Sequence, residues 1–592
     1  GWTQSGSTIS AGASLTTVNN ALAACGTNQY VLLGSGAFSF AGSVVGTSNC
    51  ELRGSGADAT KIAFTGTSSG CGNFIENAIA LCGGGNLVCG VGGCPGPSHT
   101  ATLTAPAQGA TTIVINSTTG LAVGSTIWID QLNESDGFPS TGDVYICNGG
   151  PPCSGEGAGS SYARLDRSLV EPHRVTSIEA ACGSSCDIGI DPPVASPTFR
   201  SGQTPQAWWN DSGDEFSNGG VSALSIDVSA AGTSVAAIGI LKAKNTWVNG
   251  VRIINTLSTG SFLFHVFILQ ARNISVVDSY LYGTTCTANC QTEYQITPHL
   301  TGRVLVQNNI MHSGTDPVAP NDPDVGSVYA YNYNDDTHYS AAAQMHNSGD
   351  IYALFEGNDF ANLFVDAIHG THFFGTHFRN HLSRTDHNRG AAAGDNAIAL
   401  DHVARFFNVI GNVMGNSSWT TYQVGETVDS DVAIFHLGYK GNCSACGPLS
   451  NDTNVARTLF RWGNWDSVTS TNDTGTNDGT GTRFVSGEVP SGITSYANAL
   501  PSTEDLPNSF YLTACPSTWW VTAWGTPAWP AIGPDVNNGD INDAGEPTGG
   551  HANKIPARLA FENLTNDSAY PSSSPRIRNF NAAASYTGGS CG

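Results

Sequence analysis

Between about residues 220 and 415 one short unit recurs, and few architectures can absorb it. The segments are VRIINT (251–256), ISVVDS (274–279), VLVQNN (304–309), ALFEGN (353–358), GTHFRN (375–380) and FNVIGN (407–412). Apolar and polar residues alternate in each, the pattern of a β-strand with two unlike faces. Each ends on a small polar residue: Thr256, Ser279, then Asn309, Asn358, Asn380 and Asn412. These ends are separated by 23, 30, 49, 22 and 32 residues, which fits a coil of about 22 residues carrying occasional loop insertions. A coil that gives one short strand to each neighbour builds parallel sheets and a core of stacked like side chains. The Asn amides are expected to stack at equivalent turns and bond along the column. A propeller blade needs about 40 residues and four strands, which these units cannot supply.

The first residues read as a cap. In SLTTVNNALAAC (14–25) the apolar side chains Leu15, Val18, Leu22 and Cys25 fall on one helical stripe. Ser14 can cap its start, and Gly26 can end it. Short β segments follow at 30–33, 37–40 and 61–66, with Leu52, Gly54 and Gly56 in an L-x-G-x-G pattern. At these residues the chain resembles the pectate-lyase-like superfamily, whose members often open with an amphipathic helix, then V-x-L-P-x-G-x-Y and L-x-G-x-G. The first pattern is degenerate here: Gly34 stands where Pro is usual, and Phe38 or Phe40 where Tyr is usual. The resemblance covers about 55 residues and implies fold, not substrate. The expected fold is a right-handed parallel β-helix, all-β, with an N-terminal helical cap. The expected division is cap and first coils at 1–70, a disulfide-rich β insert at 71–219, helix core at 220–415 and an irregular C-terminal wrap at 416–592. Within the insert, residues 101–130 alternate like a hairpin-rich module; the wrap holds Trp519, Trp520, Trp524 and Trp529, which are expected to pack back on the helix and cover its last coil.

Charge excludes some partners. Formal net charge is -24 although only 12% of residues are charged, because Lys occurs only at 61, 242, 244, 440 and 554. Phosphate contacts need dense Lys and Arg, so nucleic acid is not an expected partner. The same field opposes polyanionic polysaccharides unless bound cations reverse it locally. No apolar run is long enough to span a membrane. The sixteen Cys include the close pairs 147/153, 182/186, 286/290 and 443/446. Their differing spacings fit loop-closing disulfides better than a metal or haem site and place the protein outside the cytoplasm. The start Gly1-Trp2-Thr3, without Met, suggests a removed leader. Sequons such as Asn116, Asn273 and Asn563 are expected by chance in so Asn- and Thr-rich a chain.

Candidate chemistry appears on stepping back from the terminal Asn residues. His299, His346, His369 and His402 each lie ten to twelve positions before one, so successive coils set imidazoles in a column about 4.8 Å apart. Asp366, Asp395, Asp401 and Glu356 lie close in sequence, and Arg384 sits in a loop beside them. Asp366, His369, His346, Asp401 and Arg384 are the candidate catalytic residues; His299, His402, Glu356 and Asp395 are the candidate substrate contacts. Two carboxylates about 5–10 Å apart would serve a glycoside hydrolase. A lyase would need a base and a cation for the uronate, which so few cations make less attractive. Strand residues alternate in direction, so Asp401 and His402 can share a face only across a bend. A row of imidazoles suits a metal poorly. Two functions fit: an extracellular polysaccharide-degrading enzyme, hydrolase ahead of lyase, or a non-catalytic glycan binder, adhesin or self-assembling protein whose polar column is only a structural ladder. Residues 535–546 resemble a Ca²⁺ loop, with Asp535, Asn537, Asp543 and Glu546 as candidate ligands, but Asp540 replaces the expected Gly and an acidic turn is the simpler reading. The tail Trp residues could stack on sugars, yet the core of an irregular cap explains them better.

Overall fold

The computed structural model of the chain describes residues 1–72, 75–88, 94–133, 162–164, 166–180, 182–232, 234–257, 263–283, 294–337, 342–383, 396–425, 432–439, 451–470, 482–541 and 550–591. Among them a 21-stranded and an 11-stranded sheet are built from parallel pairings of successive coils. This is a parallel β-helix, as the repeat and the cap resemblance imply. The helix has three faces. Val235–Asn249, Phe264–Val277 and Tyr294–Gln307 each supply two of them, bending midway. The bends fall where φ turns positive, at Asn245, Asn273 and Arg303. The first face continues through Ala343–Asn347, Leu363–His369, Asn396–Leu400 and Ala433–Leu437. The second continues through Val328–Ala330, Leu354–Glu356, Thr376–Phe378, Asn408–Ile410 and Phe460–Trp462. The third runs from Gly36–Phe40 to Trp465–Asp466. Inward Val, Ile, Leu and Phe side chains stack into one continuous core.

The turn between the second and third faces carries the ladder expected from sequence. Each Asn Oδ1 accepts the backbone N–H of its counterpart one coil back, in the order Asn309, Asn332, Asn358, Asn380, Asn412 and Asn464, at 2.9–3.0 Å. Asn309 in turn accepts from Ser279 N at 3.0 Å. The apparent 49-residue gap holds an unrecognised coil: Asn309 to Asn332 and Asn332 to Asn358 are steps of 23 and 26 residues. VRIINT was also set one face out of register. Arg252–Ile254 belongs to the third face, and the partner of Ile274–Val277 is Thr246–Asn249. The helix runs on to Asp466, past the expected end at 415, because a 52-residue step conceals the last Asn.

The cap helix spans Leu15–Ala23, with the Ser14 hydroxyl accepting from Thr17 N at 3.2 Å and with Val18 and Leu22 buried. A disulfide joins Cys25 to Cys50 behind it. Glu76–Cys82 is already a helix strand, paired in parallel with Val235–Leu241, so the departure from the helix begins later than residue 71. Between it and Phe216–Ser222 lies an antiparallel six-stranded sheet. This sheet packs along the bend between the first two faces. Its Ile113, Val175 and Trp209 join Val325, Ile351, Phe373 and Val403, while Trp128, Val170 and Trp208 join Leu241, Leu269 and Leu300.

The C-terminal wrap lies along the third face rather than over the last coil. The His551 ring lies tilted against Trp465, Arg252 pairs with Asp567 at 2.7 Å, and Asn581 reaches Asp58. Trp519 and Trp520 are buried against Tyr331. Cys515 and Cys591 close the wrap. Cys182 is bonded to Cys186, whereas Cys147, Cys153, Cys286, Cys290, Cys443 and Cys446 lie outside the described residues. Among the described residues no helix is long and apolar enough to cross a membrane.

Candidate functional site

On the first face a β-bulge sets the geometry. Met345 pairs with Val365 and Asn347 with His369, so His346 alone opposes Asp366, Ala367 and Ile368. The extra residues carry the Asp366 carboxylate under the His346 ring, where Oδ2 accepts from Nδ1 at 2.6 Å and also from the Gln344 amide. Oδ1 accepts the Ile368 N–H at 2.8 Å. The His369 ring stands edge-on to His346, with centroids 4.5 Å apart. Asp366 is completely buried, whereas the His346 side chain is 14% exposed and His369 is half-buried. Solvent therefore meets imidazoles, with the carboxylate behind them.

Burial acts on all three groups, and their partners decide its outcome. It pushes Asp366 up, but the His346 charge and hydrogen bond outweigh it and leave the carboxyl below its ordinary value. It pushes His346 down, but Asp366 outweighs it and holds the ring above 6.5. His369 gains no comparable bond; burial and then the His346 charge lower it to about 4. The two neighbouring rings are thus shifted in opposite directions, His346 towards the cation and His369 towards the neutral form.

The polar column extends both ways. His299 Nδ1 bonds Asp322 at 2.9 Å, and Asn347 donates to the other Asp322 oxygen at 3.2 Å. Buried His372 lies 3.1 Å from Asp350, whose carboxyl is pushed well above its usual range by burial and by the charges of Asp324 and Asp322. One coil on, Asp401 and His402 are both buried, with His436 Nδ1 4.0 Å from Asp401. Gln344, Asp322 and His436 were missed in the sequence. Gln344 was within reach, since it lies two residues before His346 and so shares its face. Asp322 sits in the coil that the 49-residue gap hid.

Other candidates fall elsewhere. Glu356 is on the second face, accepting from Tyr331 at 3.0 Å and from Phe510 N at 2.8 Å, so it anchors the wrap instead of lining the column. Arg384 and Asp395 lie outside the described residues, as do Asp543 and Glu546. Asp535 is held by both terminal nitrogens of Arg379 at 2.6 and 2.7 Å, so the Ca²⁺ reading loses its first carboxylate to an ion pair. Asn537 is exposed in the same turn. Among the described residues no group of three or more His, Cys, Asp or Glu is placed to hold a metal.

Fold and site together define a disulfide-bonded parallel β-helix protein with an imidazole–carboxylate centre on one face. No family model matches the chain, and no curated protein matches it. Among solved structures it is similar to the Gp54 tailspike of Acinetobacter baumannii bacteriophage AP22, solved with a capsular saccharide, at 10% identity and TM-score 0.45. That match covers 77% of this chain and 66% of the tailspike, just under two thirds of its length. It is also similar to PfbA, a surface adhesin of Streptococcus pneumoniae (10% identity, TM-score 0.34, 74% and 92% covered). A third is the A-module of the Azotobacter vinelandii mannuronan C-5 epimerase AlgE6 (9% identity, TM-score 0.28, 77% and 82% covered). With TM-scores this low, the architecture stands on the chain's own strand pairing.

Proposed function

We propose that this protein acts outside the cell on a polysaccharide laid across the stacked strands of the first face, with His346, Asp366 and His369 as its reactive centre. The observation that carries the reading is a pair of imidazoles with centroids 4.5 Å apart, of which His346 is hydrogen-bonded to a buried carboxylate and His369 is not. Cleavage of a glycosidic bond needs a proton delivered to the leaving oxygen and a base for water or for a ring proton. His346 fits the first role and His369 the second. Asp366 keeps His346 charged and oriented; fully buried, it is not placed as the nucleophile of a two-carboxylate hydrolase. The disulfides support an oxidising location.

The test is release of reducing ends, or of unsaturated products absorbing in the ultraviolet, from neutral and acidic polysaccharides. Reducing ends without unsaturation mark hydrolysis; reducing ends accompanied by an equal number of unsaturated ends mark elimination. Activity should fall about a hundredfold or more in Asp366→Asn and in His369→Ala. The alternative is a non-catalytic glycan binder, favoured by the complete burial of Asp366 among three donors. Wild-type protein that retains glycan but releases no sugar establishes that alternative.

A further inference from the structure

The second face offers a separate surface at its N-terminal end. Thr246 and Val248 point into the core, so Trp247 between them points out. Its ring lies over Gly220 of the preceding coil: a Cβ there would fall 2.6 Å from both indole Cδ1 and Nε1. Glycine at 220 is thus what lets the indole lie against the sheet. Trp2 reaches it edge-on, with centroids 5.2 Å apart. Tyr30, Glu51, Gly220 and Trp247 follow one another in register on successive coils. Tyr30 therefore stands three rungs from Trp247, about 14 Å away. The Arg53 guanidinium lies 3.9 Å over the Tyr30 ring and is paired with Glu51 at 2.5 Å. The Ser222 hydroxyl also bonds Glu51. Trp2, Tyr30 and Trp247 are only half-buried.

We infer that this strip is a binding site for a neutral polysaccharide, separate from the centre on the first face and independent of whether that centre is catalytic. Half-exposed aromatic rings in a row present apolar platforms of the size and flatness of a sugar ring, and their electron-rich faces attract its polarised C–H bonds. The part-exposed Arg53 guanidinium, held in place by the buried Glu51 carboxylate, offers donors to hydroxyls at the margin. The two charges cancel locally within a chain of net charge -24, so a neutral polymer is favoured over a polyanion. A strip about 14 Å long can seat several linked sugar rings.

The experiment measures retention of the full chain on insoluble cellulose, chitin, xylan and β-1,3-glucan. It uses the Asp366→Asn background, so that no cleavage erodes the matrix, and compares it with added Trp247→Ala or Trp2→Ala. The expected result is retention on at least one neutral polymer, weakened about tenfold or more by either change and partly restored by Trp247→Phe. Unchanged melting temperatures are expected, because both rings lie outside the core. Retention unaffected by both changes overturns the inference, as does wild-type protein that cleaves a polysaccharide but is retained on none of the four. A shift in oligomeric state with no change in retention overturns it in favour of a self-association surface. Failure here with activity lost in Asp366→Asn leaves the first-face proposal standing; retention without any cleavage does the reverse.

Discussion

His346 and His369 share one environment, and it shifts them in opposite directions. Both rings are largely buried, which disfavours the cation. Only His346 is hydrogen-bonded to a carboxylate, and the charge of Asp366 together with that bond reverses the sign. With His346 as the proposed acid and His369 as the proposed base, kcat/KM should rise with pH through about 4 and fall only above 6.5. An alkaline limb below 6.5 would contradict the cationic assignment. The same shifts link to stability with definite signs. The raised His346 contributes fully below its unfolded value near 6.5 and loses its contribution as pH rises through its folded value. The lowered Asp366 contributes above its unfolded value near 3.8 and loses it as pH falls through its folded value. The pair therefore stabilises most between these limits. His369 and His372, both lowered to about 4, act oppositely to His346: stability falls as pH drops from about 6.5 towards 4 and the unfolded chain takes up their protons first.

At the level of elements, the Asn ladder welds coils whose turns have no other way to satisfy buried backbone. Asn358 is fully buried; it accepts from Asn332 N and donates to Tyr329 O at 2.8 Å and to Asn380 Oδ1 at 2.9 Å. Asn358→Ala strands several of these partners at once. At about 1–3 kcal/mol for each unsatisfied buried group, a loss of about 3 kcal/mol is expected. Chemical denaturation followed by circular dichroism checks it, as a lower midpoint. A second ladder, Asn49, Asn218, Asn245 and Asn273, lies at the outer bend with positive φ throughout. There water can replace a lost bond and glycine suits the backbone, so Asn245→Gly should change stability by less than about 1 kcal/mol. Equal costs at both positions would show that burial is not what gives the inner ladder its strength.

At the scale of the molecule, the wrap returns along the whole third face and is held at widely separated coils. Arg558 pairs with Asp359, Tyr570 with Asp227 and Arg379 with Asp535. The Cys515–Cys591 disulfide closes 76 residues of this segment. A loop of that length is worth about 4.5 kcal/mol in restricted unfolded states. Replacing both cysteines by Ser should leave the β-helix folded but open the wrap, seen as cleavage by thermolysin beyond residue 500 at least about tenfold faster. Equal cleavage rates would mean that the ion pairs and the Tyr–Trp core alone fix it.

What sequence alone determined here was local and periodic. Alternation and the terminal Asn residues were enough for the parallel β-helix and for the turn at Asn309, Asn358, Asn380 and Asn412, because side-chain direction in a strand follows directly from spacing. Ser14 and the Leu15–Val18–Leu22 stripe likewise announced the cap helix. Only the tertiary structure decided the rest. Loop insertions of variable length hid the coil of Asn332 and that of Asn464, since nothing in a sequence marks which residues of a long step return to the sheet. A bulge, visible only in the pairing of two coils, turned Asp366 from a groove carboxylate into the buried partner of His346. Glu356 was drawn to the wrap by Phe510, 154 residues on, and Asp535, within the wrap, was drawn to the helix by Arg379, 156 residues back. Such contacts depend on how distant segments pack, and no local period records them.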